Sequence, residues 1–344
     1  MSTNASRLPG LAVAGSTGLF AIALAAGIRS ATGEIPVGSA LLAILAGLIF
    51  ASPLGSREAL QPGLKLAIGP VLKLGVMLIG LRLSLTELGT LGLEVAGLVI
   101  GVILAGLMLM APAGRLLGLG PRLTALLGVG TAICGASAIA ATAPGVRARA
   151  DETAYAIACV ALFGLIATLA WPWLFEAVLG DPHRVGIALG AAIHDTAQVT
   201  GAALMHEQIH AVSGSLESAT VTKLLRNLGM LVVIPLVIAW VNRADNQAGG
   251  RMPAFPLFVL GFVALSALRT LGDALFSADA ETWQVFLGLA DQASTILFAT
   301  ALAALGLSIR VAALRALGWQ AAAAALAVTV LIAGLVLGWL ALPG

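Results

Sequence analysis

Long apolar runs, separated by short polar stretches, follow one another along almost the entire chain. Most runs are about 18 to 25 residues long, which is enough for an α-helix to cross roughly 30 Å of hydrocarbon. They lack the alternation of polar and apolar positions that the strands of a membrane β-barrel show. The pattern predicts an all-α, polytopic membrane protein with roughly nine full spans plus two re-entrant or broken helices. The nine predicted spans cover residues 11–28, 37–50, 64–81, 95–112, 153–178, 219–241, 255–271, 283–309 and 319–340.

The composition agrees with a membrane protein and excludes an ordinary soluble domain. Of the 344 residues, 60% are hydrophobic and 10% are charged, whereas soluble proteins carry about 25% charged residues. The net charge is only +2, and the sequence has no run of basic residues that could bind a nucleic-acid duplex. No nucleic-acid partner is therefore predicted. Cys134 and Cys159 lie in apolar runs without metal-ligand spacing, which predicts buried thiols and no metal site.

Two apolar segments, 128–144 and 185–205, are unusually rich in small residues, and their glycines weaken a straight helix. In lipid, irregular backbone is tolerated only where it is buried in protein or lines a wet cavity. Backbone N–H groups at the start of a half-helix carry partial positive charge and favour an anion. We therefore expect a binding site in these segments, the alternative being a closely packed helix face. Its predicted substrate-binding residues are Gly130, Thr131, Cys134, Gly135, Ser137, His194, Asp195 and Gln198.

The two segments also resemble each other, because residues 130–139 can be laid over residues 190–199 without a gap. This similarity favours an internal duplication of the inverted kind that secondary transporters use. The predicted organisation is a single integral membrane transporter domain, 1–344, with peripheral N-terminal helices in 1–62. Residues 63–179 and 185–344 form the two repeat-like halves, each with one broken segment.

The distribution of lysine and arginine predicts the orientation of the chain. With the N-terminus in the cytoplasm, most loop cations fall on the cytoplasmic side, as the positive-inside rule requires. Arg147 and Arg149 are exceptions if segment 128–144 crosses the membrane completely. A re-entrant hairpin there, matched by one from the opposite side at 185–205, would satisfy both the charge rule and an inverted repeat. Two fully crossing, unwound helices are the alternative.

Charged residues inside the predicted spans are candidates for function, because a charge near the bilayer centre costs about 2.5 to 3.5 kcal/mol. Lys223 and Arg226 are three residues apart, hence on one helix face, and are predicted to balance the charge of a bound anion. Snorkelling to the headgroups or structural pairing with a carboxylate is the alternative. Lys73 lies near the middle of its predicted span.

Two carboxylates lie among these candidates. Asp195 follows His194 directly, and such a pair could couple proton movement to transport, although a hydrogen-bonded core histidine is the alternative. Asp291 belongs to a polar patch suited equally to cation coordination or to helix packing. The predicted coupling residues are His194, Asp195, Asp291 and Lys73.

Four motifs resemble those of the sulfate exporter family of conserved bacterial membrane proteins. They are Gly-Thr-Ala-Ile-Cys-Gly-Ala-Ser-Ala-Ile-Ala-Ala at 130–141, Ile-His-Asp and Ala-Gln-Val within 193–199, Thr-Lys-Leu-Leu-Arg at 222–226 and Ala-Leu-Gly-Leu at 304–307. The resemblance covers most of the chain from about residue 63 onward. Thr196 and Thr200 depart from the more apolar residues expected there, which would alter substrate fit. The resemblance implies an inner-membrane transporter that exports sulfate or a related anion, with no catalytic residues.

Together these patterns predict a secondary transporter, acting as an exporter of a small inorganic or sulfur-containing anion by alternating access. We expect no enzyme activity and no cofactor beyond a coupling Na⁺ or H⁺. The expected partners are the anion and the lipid bilayer of the bacterial inner membrane, and a homo-oligomer is left open. The alternatives are a sodium- or proton-coupled cation antiporter, a non-transporting membrane sensor and, using Cys134 or Ser137, an intramembrane hydrolase.

Overall fold

The computed structural model describes residues 7–32, 39–51, 57–242, 257–276, 281–308 and 319–342. All regular structure in these ranges is helical and no strand occurs in them, which confirms the predicted all-α fold. The α-helices are α1 (Leu8–Thr32), α2 (Ser39–Phe50), α3 (Gln61–Leu66), α4 (Leu72–Ile79), α5 (Leu85–Leu116), α6 (Pro121–Ala132), α7 (Ala136–Thr142), α8 (Ala150–Leu179), α9 (Pro182–Ala192), α10 (Thr196–His210), α11 (Ser215–Leu228), α12 (Met230–Asn242), α13 (Leu257–Leu275), α14 (Glu281–Leu307) and α15 (Trp319–Ala341).

Eight helical segments of the described residues are long and apolar enough to cross a membrane. They are Leu8–Ile28, Glu58–Arg82, Leu85–Leu116, Asp151–Leu179, Ser215–Asn242, Leu257–Leu275, Glu281–Leu307 and Trp319–Ala341. Each corresponds to one of the nine predicted spans, and the remaining prediction is observed as the 12-residue helix α2. The predicted span limits at residues 37, 255 and 309 lie outside the described residues.

The second of these segments, Glu58–Arg82, changes its helical geometry along its length. A π-helical turn at Ala67–Val71 joins α3 to α4 and contains Pro70. Proline has no backbone N–H and its ring clashes with the preceding turn, so one wide turn accommodates it without ending the helix.

The chain forms two compact units. The first unit comprises the described residues within Met1–Leu91, Thr200–Thr220 and Leu257–Arg310, and the second comprises those within Gly92–Val199, Val221–Pro256 and Val311–Gly344. In the first unit, α14 packs against α1, α2 and α4. In the second unit, α6 packs against α8, and α15 packs against both α8 and α9. The predicted broken segments lie in the second unit, apart from the end of segment 185–205.

Both segments are interrupted helices, as predicted. The first break separates α6 from α7 at residues 133–135, and the second separates α9 from α10 at residues 193–195. The breaks fall at equivalent positions of the ungapped alignment of 130–139 with 190–199. An inverted relation between two halves, and the choice between re-entrant and crossing segments, stay predictions.

Candidate functional site

The two breaks have a local cause in the backbone. Gly135 ends the first break with φ of +66°, the left-handed region that glycine enters without the strain a side chain would add. Ile193 leaves the second helix with an extended backbone, at φ −81° and ψ 143°. A helix end leaves its last carbonyl groups without intrahelical partners, so α6 and α9 both end with buried carbonyls that need donors.

Lys223 supplies donors to both breaks. Its side chain is 1% exposed, and its ammonium Nζ donates to the carbonyl oxygens of Ile133 at 2.8 Å and Ile193 at 3.1 Å. It also donates to the carbonyl of His194. Because an ammonium has three N–H bonds, these three carbonyls use all its donors.

Arg226 lies on the same face of α11, one turn further on, and is fully buried. Its Nε donates to the carbonyl of Ala132 at 2.8 Å, and one terminal nitrogen donates to Ala191 at 2.7 Å and Ile193 at 2.9 Å. The other terminal nitrogen donates to the carbonyl of Thr131. The planar guanidinium thereby joins the ends of α6 and α9.

These contacts give both cations a structural role that the sequence did not reveal. The C-terminal end of a helix carries roughly half a negative charge, so the ends of α6 and α9 attract positive side chains. Lys223 and Arg226 neutralise that charge and satisfy the open carbonyls at once. Their predicted role as charge partners of a bound anion stays a prediction.

Asp195 and Gln198 lie at the N-terminal end of α10, whereas Lys223 and Arg226 bind the C-terminal ends of α6 and α9. The Asp195 carboxylate accepts from the backbone N–H of Ala197 at 2.9 Å, and the Gln198 side-chain oxygen lies 3.4 Å from the Asp195 backbone N–H. The two contacts cap the start of α10, because the Asp195 side chain serves the N2 backbone N–H and the Gln198 side chain reaches back to the backbone of Asp195. The Gln198 amide nitrogen also donates to the carbonyl of Ala161 at 2.9 Å, which fixes α10 against α8.

Asp195 lies next to Gly135 of the first break. A Cβ placed on Gly135 would lie 3.4 Å from both Cβ and Oδ2 of Asp195, which is ordinary van der Waals contact. The negative carboxylate therefore lies beside the positive start of α10 and against the residue before α7. Residues predicted from two separate segments are thus brought together in the second unit.

His194 is buried and held by α15. Its Nε2 lies 2.7 Å from the hydroxyl oxygen of Thr329, and that hydroxyl donates to the carbonyl of Ala325 at 2.7 Å. The Thr329 hydroxyl thus links the imidazole of His194 to the backbone of α15, and the backbone of Thr131 is a further neighbour of the imidazole.

The remaining predicted residues of the first segment differ in accessibility. The Thr131 hydroxyl donates within its own helix, to the carbonyl of Leu127 at 2.8 Å. The Cys134 sulfur lies 3.1 Å from the sulfur of Met230, and Gly130 is buried. Ser137 is exposed, so its hydroxyl is the most accessible of this group.

Lys73 and Asp291 belong to the first unit and not to the unit that contains both breaks. Lys73 is exposed, and its Nζ lies 5.6 Å from the ring centroid of Phe258. Asp291 pairs with Arg82, which also reaches Glu217 at 2.9 Å. The structure therefore does not place either residue among the contacts of the two breaks, and their coupling role stays a prediction.

Sequence reasoning missed a group of carboxylates around Arg82. Glu207 lies 3.8 Å from Arg82 and accepts from the backbone N–H of Leu216 at 2.9 Å. It is located in the last turn of α10, outside the eight candidate spans. Burial, together with the nearby Glu217 carboxylate, raises the pKa of Glu207 to about 7. The sequence does not show that Glu207, Glu217 and Asp291 gather around Arg82, because the four residues lie in separate helical segments.

Sequence reasoning also missed Asn227. Its amide nitrogen lies 3.4 Å from the hydroxyl oxygen of Thr196, in the first residue of α10. An asparagine directly after Arg226 in an apolar run is a weak signal that could have been used. It adds a third polar side chain of α11 to the region of the breaks.

The helices and the buried polar contacts define a multi-pass α-helical membrane protein. The model of the family described as Conserved hypothetical protein 698 matches residues 9–325, and the chain belongs to this family. A UPF0324 membrane protein of Bacillus cereus is 31% identical over 297 residues, covering 84% of this chain and 82% of its own. One from Streptococcus pyogenes is 31% identical over 326 residues, covering 93% of each chain.

These names confirm the conserved membrane family that the motifs indicated. They do not name a substrate, so export of sulfate stays a prediction. No solved structure matches the chain.

Proposed function

We propose that the protein is an ion-coupled secondary transporter that exports a small inorganic or sulfur-containing anion, such as sulfate, by alternating access. It would act in the bacterial inner membrane with its N-terminus in the cytoplasm. One observation carries the proposal: two interrupted helices meet in the second unit, and buried charges oppose the partial charges of their broken ends. The proposal contains no catalytic step and no cofactor other than the coupling ion.

The breaks support transport because they are costly to keep inside a membrane protein. A continuous helix would satisfy every backbone group, whereas these breaks need Lys223, Arg226 and Asp195 to do so. Discontinuous helices that meet inside a bundle are the usual binding element of secondary transporters. Asp195 is only half-buried and Ser137 is exposed, so the region is not a sealed core.

The charges near the breaks support an anionic passenger. Lys223 and Arg226 contribute two positive charges, and Asp195 contributes one negative charge. The negative ends of α6 and α9 offset part of this positive charge, whereas the positive starts of α7 and α10 add to it, so the region keeps an excess that attracts an anion strongly at low dielectric. Ser137, whose hydroxyl can donate to an oxyanion, is the accessible polar contact among the predicted residues.

Flux through reconstituted protein tests this function. Purified protein in liposomes should take up radiolabelled sulfate, or another small sulfur oxyanion, faster than liposomes without protein. Unlabelled anion should compete, and Ser137→Ala should raise the KM for the anion. The proposal is wrong if none of a panel of small oxyanions moves faster than in empty liposomes.

A cation antiporter is the second candidate, and the position of Asp195 favours it. This carboxylate takes part in no ion pair of the described residues, so it could itself carry a proton or Na⁺. Exchange of Na⁺ for protons across the liposome membrane, with no anion required, would select this function.

A further inference from the structure

Lys223 and Arg226, the two buried cations near Asp195, direct their hydrogen bonds to backbone carbonyls and not to the Asp195 carboxylate. Lys223 directs its three donors to backbone carbonyls, and Arg226 directs four of its five donors in the same way. No lysine, arginine or histidine nitrogen in the described ranges lies within 4.0 Å of the Asp195 carboxylate. The Asp195 carboxylate accepts a hydrogen bond from the neutral backbone N–H of Ala197. Lys223 acts on this carboxylate through space, but no cation of the described residues contacts it directly.

An unsatisfied oxygen lies on the neighbouring helix. Asn227 is 3% exposed, and its amide group touches the hydroxyl of Thr196, the residue after Asp195. The amide oxygen Oδ1 of Asn227 is buried and has no hydrogen-bond partner among the described residues. Buried polar atoms in folded proteins nearly always have a partner, so such an atom points to a bound water or ion.

The oxygen types determine which ion fits. A carboxylate, a hydroxyl and an amide carbonyl are hard ligands, which suit hard cations rather than transition metals. One carboxylate balances a single positive charge, whereas sites for divalent cations usually collect several carboxylates. A proton would need only the carboxylate and would leave the Asn227 oxygen unsatisfied.

We propose that Asp195, Thr196 and Asn227 form a binding site for Na⁺ at the start of α10. The inference rests on the proposed transport function, for which it supplies the coupling ion. Thr196 and Asn227 extend the site beyond the residues predicted from the sequence. Because Asp195 also lies next to Gly135 of the other break, Na⁺ bound there would lie where both interrupted helices meet.

Binding of radiolabelled Na⁺ to the full-length protein in detergent tests the site. Wild-type protein should bind Na⁺ saturably, with excess unlabelled Na⁺ competing and choline having no effect. Asp195→Asn should weaken binding by about tenfold or more, since loss of supporting residues alone costs metal sites about 10- to 100-fold. Asparagine caps a helix as well as aspartate does, so α10 should stay folded.

Asp181→Asn is the matched control. Asp181 caps α9 in the same unit by accepting from the backbone N–H of Arg184 at 2.8 Å, and it is exposed. This variant should bind Na⁺ like wild type. Asn227→Ala keeps the carboxylate but removes the unsatisfied oxygen, so it should also weaken binding, whereas Thr196→Ser should retain it.

The outcomes separate this inference from the transport function. Anion uptake that depends on pH but is unchanged by Na⁺, with no Na⁺ binding, would overturn the sodium site and leave transport standing. Sodium binding lost in Asp195→Asn, without flux of any anion, would support the site and overturn the anion transporter. Equal Na⁺ binding by wild type, Asp195→Asn and Asn227→Ala would also overturn the site.

Discussion

Replacing Arg226 with methionine should destabilise the second unit severely. The guanidinium is fully buried and donates to four backbone carbonyls at the ends of two different helices. Methionine has no donor, so the carbonyls of Ala132, Ala191 and Thr131 would lose their partner, whereas that of Ile193 would keep Lys223. Each such loss costs about 1 to 3 kcal/mol, which gives about 3 to 9 kcal/mol in total. That range is comparable to the whole stability of a typical domain, about 5 to 15 kcal/mol.

The assay is thermal unfolding of detergent-purified protein, with Arg184→Met as the control. Arg184 is exposed and has one hydrogen bond to a backbone carbonyl, that of Leu340 at 3.3 Å. Its replacement should cost less than about 1 kcal/mol. Arg226→Met should lower Tm by on the order of 10 °C or prevent purification of folded protein. An Arg226→Met protein that keeps the wild-type Tm and loses only anion affinity would refute the capping role.

Three further predictions concern contacts of the breaks and of the first unit. Gly164→Ala should lower Tm, because its Cβ would collide with the Gln198 amide that joins α10 to α8. Between pH 5 and 7 the folded protein binds more protons than the unfolded chain, because the pKa of Glu207 is raised to about 7. Stability should therefore fall as pH rises through this range, and Glu207→Gln should flatten the dependence. Gly135→Cys with Asp195→Cys, in a background without the native cysteines, should form a disulfide under mild oxidation, since the two Cβ positions are 3.4 Å apart.

Each of these has a control or a contrary result. Gly101→Ala, in α5, should not lower Tm, because no atom lies within 4 Å of the added Cβ. Equal effects of Gly164→Ala and Gly101→Ala would contradict the Gln198 contact. A Tm profile that is the same for wild type and Glu207→Gln would contradict the raised pKa. Because a side chain at Gly135 is strained at its positive φ, the double-cysteine protein must first show a cooperative unfolding transition; a folded protein that stays reduced would then show that Gly135 and Asp195 are not neighbours.

The sequence predicted the spans and the positions of both breaks because these depend on local composition. Lengths of apolar runs determine the spans, and clusters of small residues such as Gly130 and Gly135 weaken helices wherever they occur. The partners of Lys223 and Arg226 could not be predicted in this way. Those side chains bind backbone carbonyls, which every residue possesses, so no side-chain pattern identifies the acceptors.

Roles that depend on contacts between distant segments were also beyond the sequence. Asp195 was predicted as a coupling group from its position beside His194, but the absence of a direct ion pair among the described residues follows from how the two cations are used. Asn227 gives only a weak signal in the sequence, and its role depends on its contact with Thr196. Lys73 and Asp291 were predicted as coupling residues from their charge alone. Charge does not determine in which unit a residue lies, and both lie in the first unit.

Anion uptake into liposomes, compared between wild type and Asp195→Asn, tests the central claim most directly. With an ion gradient imposed across the membrane, wild-type protein should accumulate a small oxyanion above its equilibrium level, and Asp195→Asn should not. Equal accumulation by the two proteins, or none by wild type for any anion in the panel, would contradict the account.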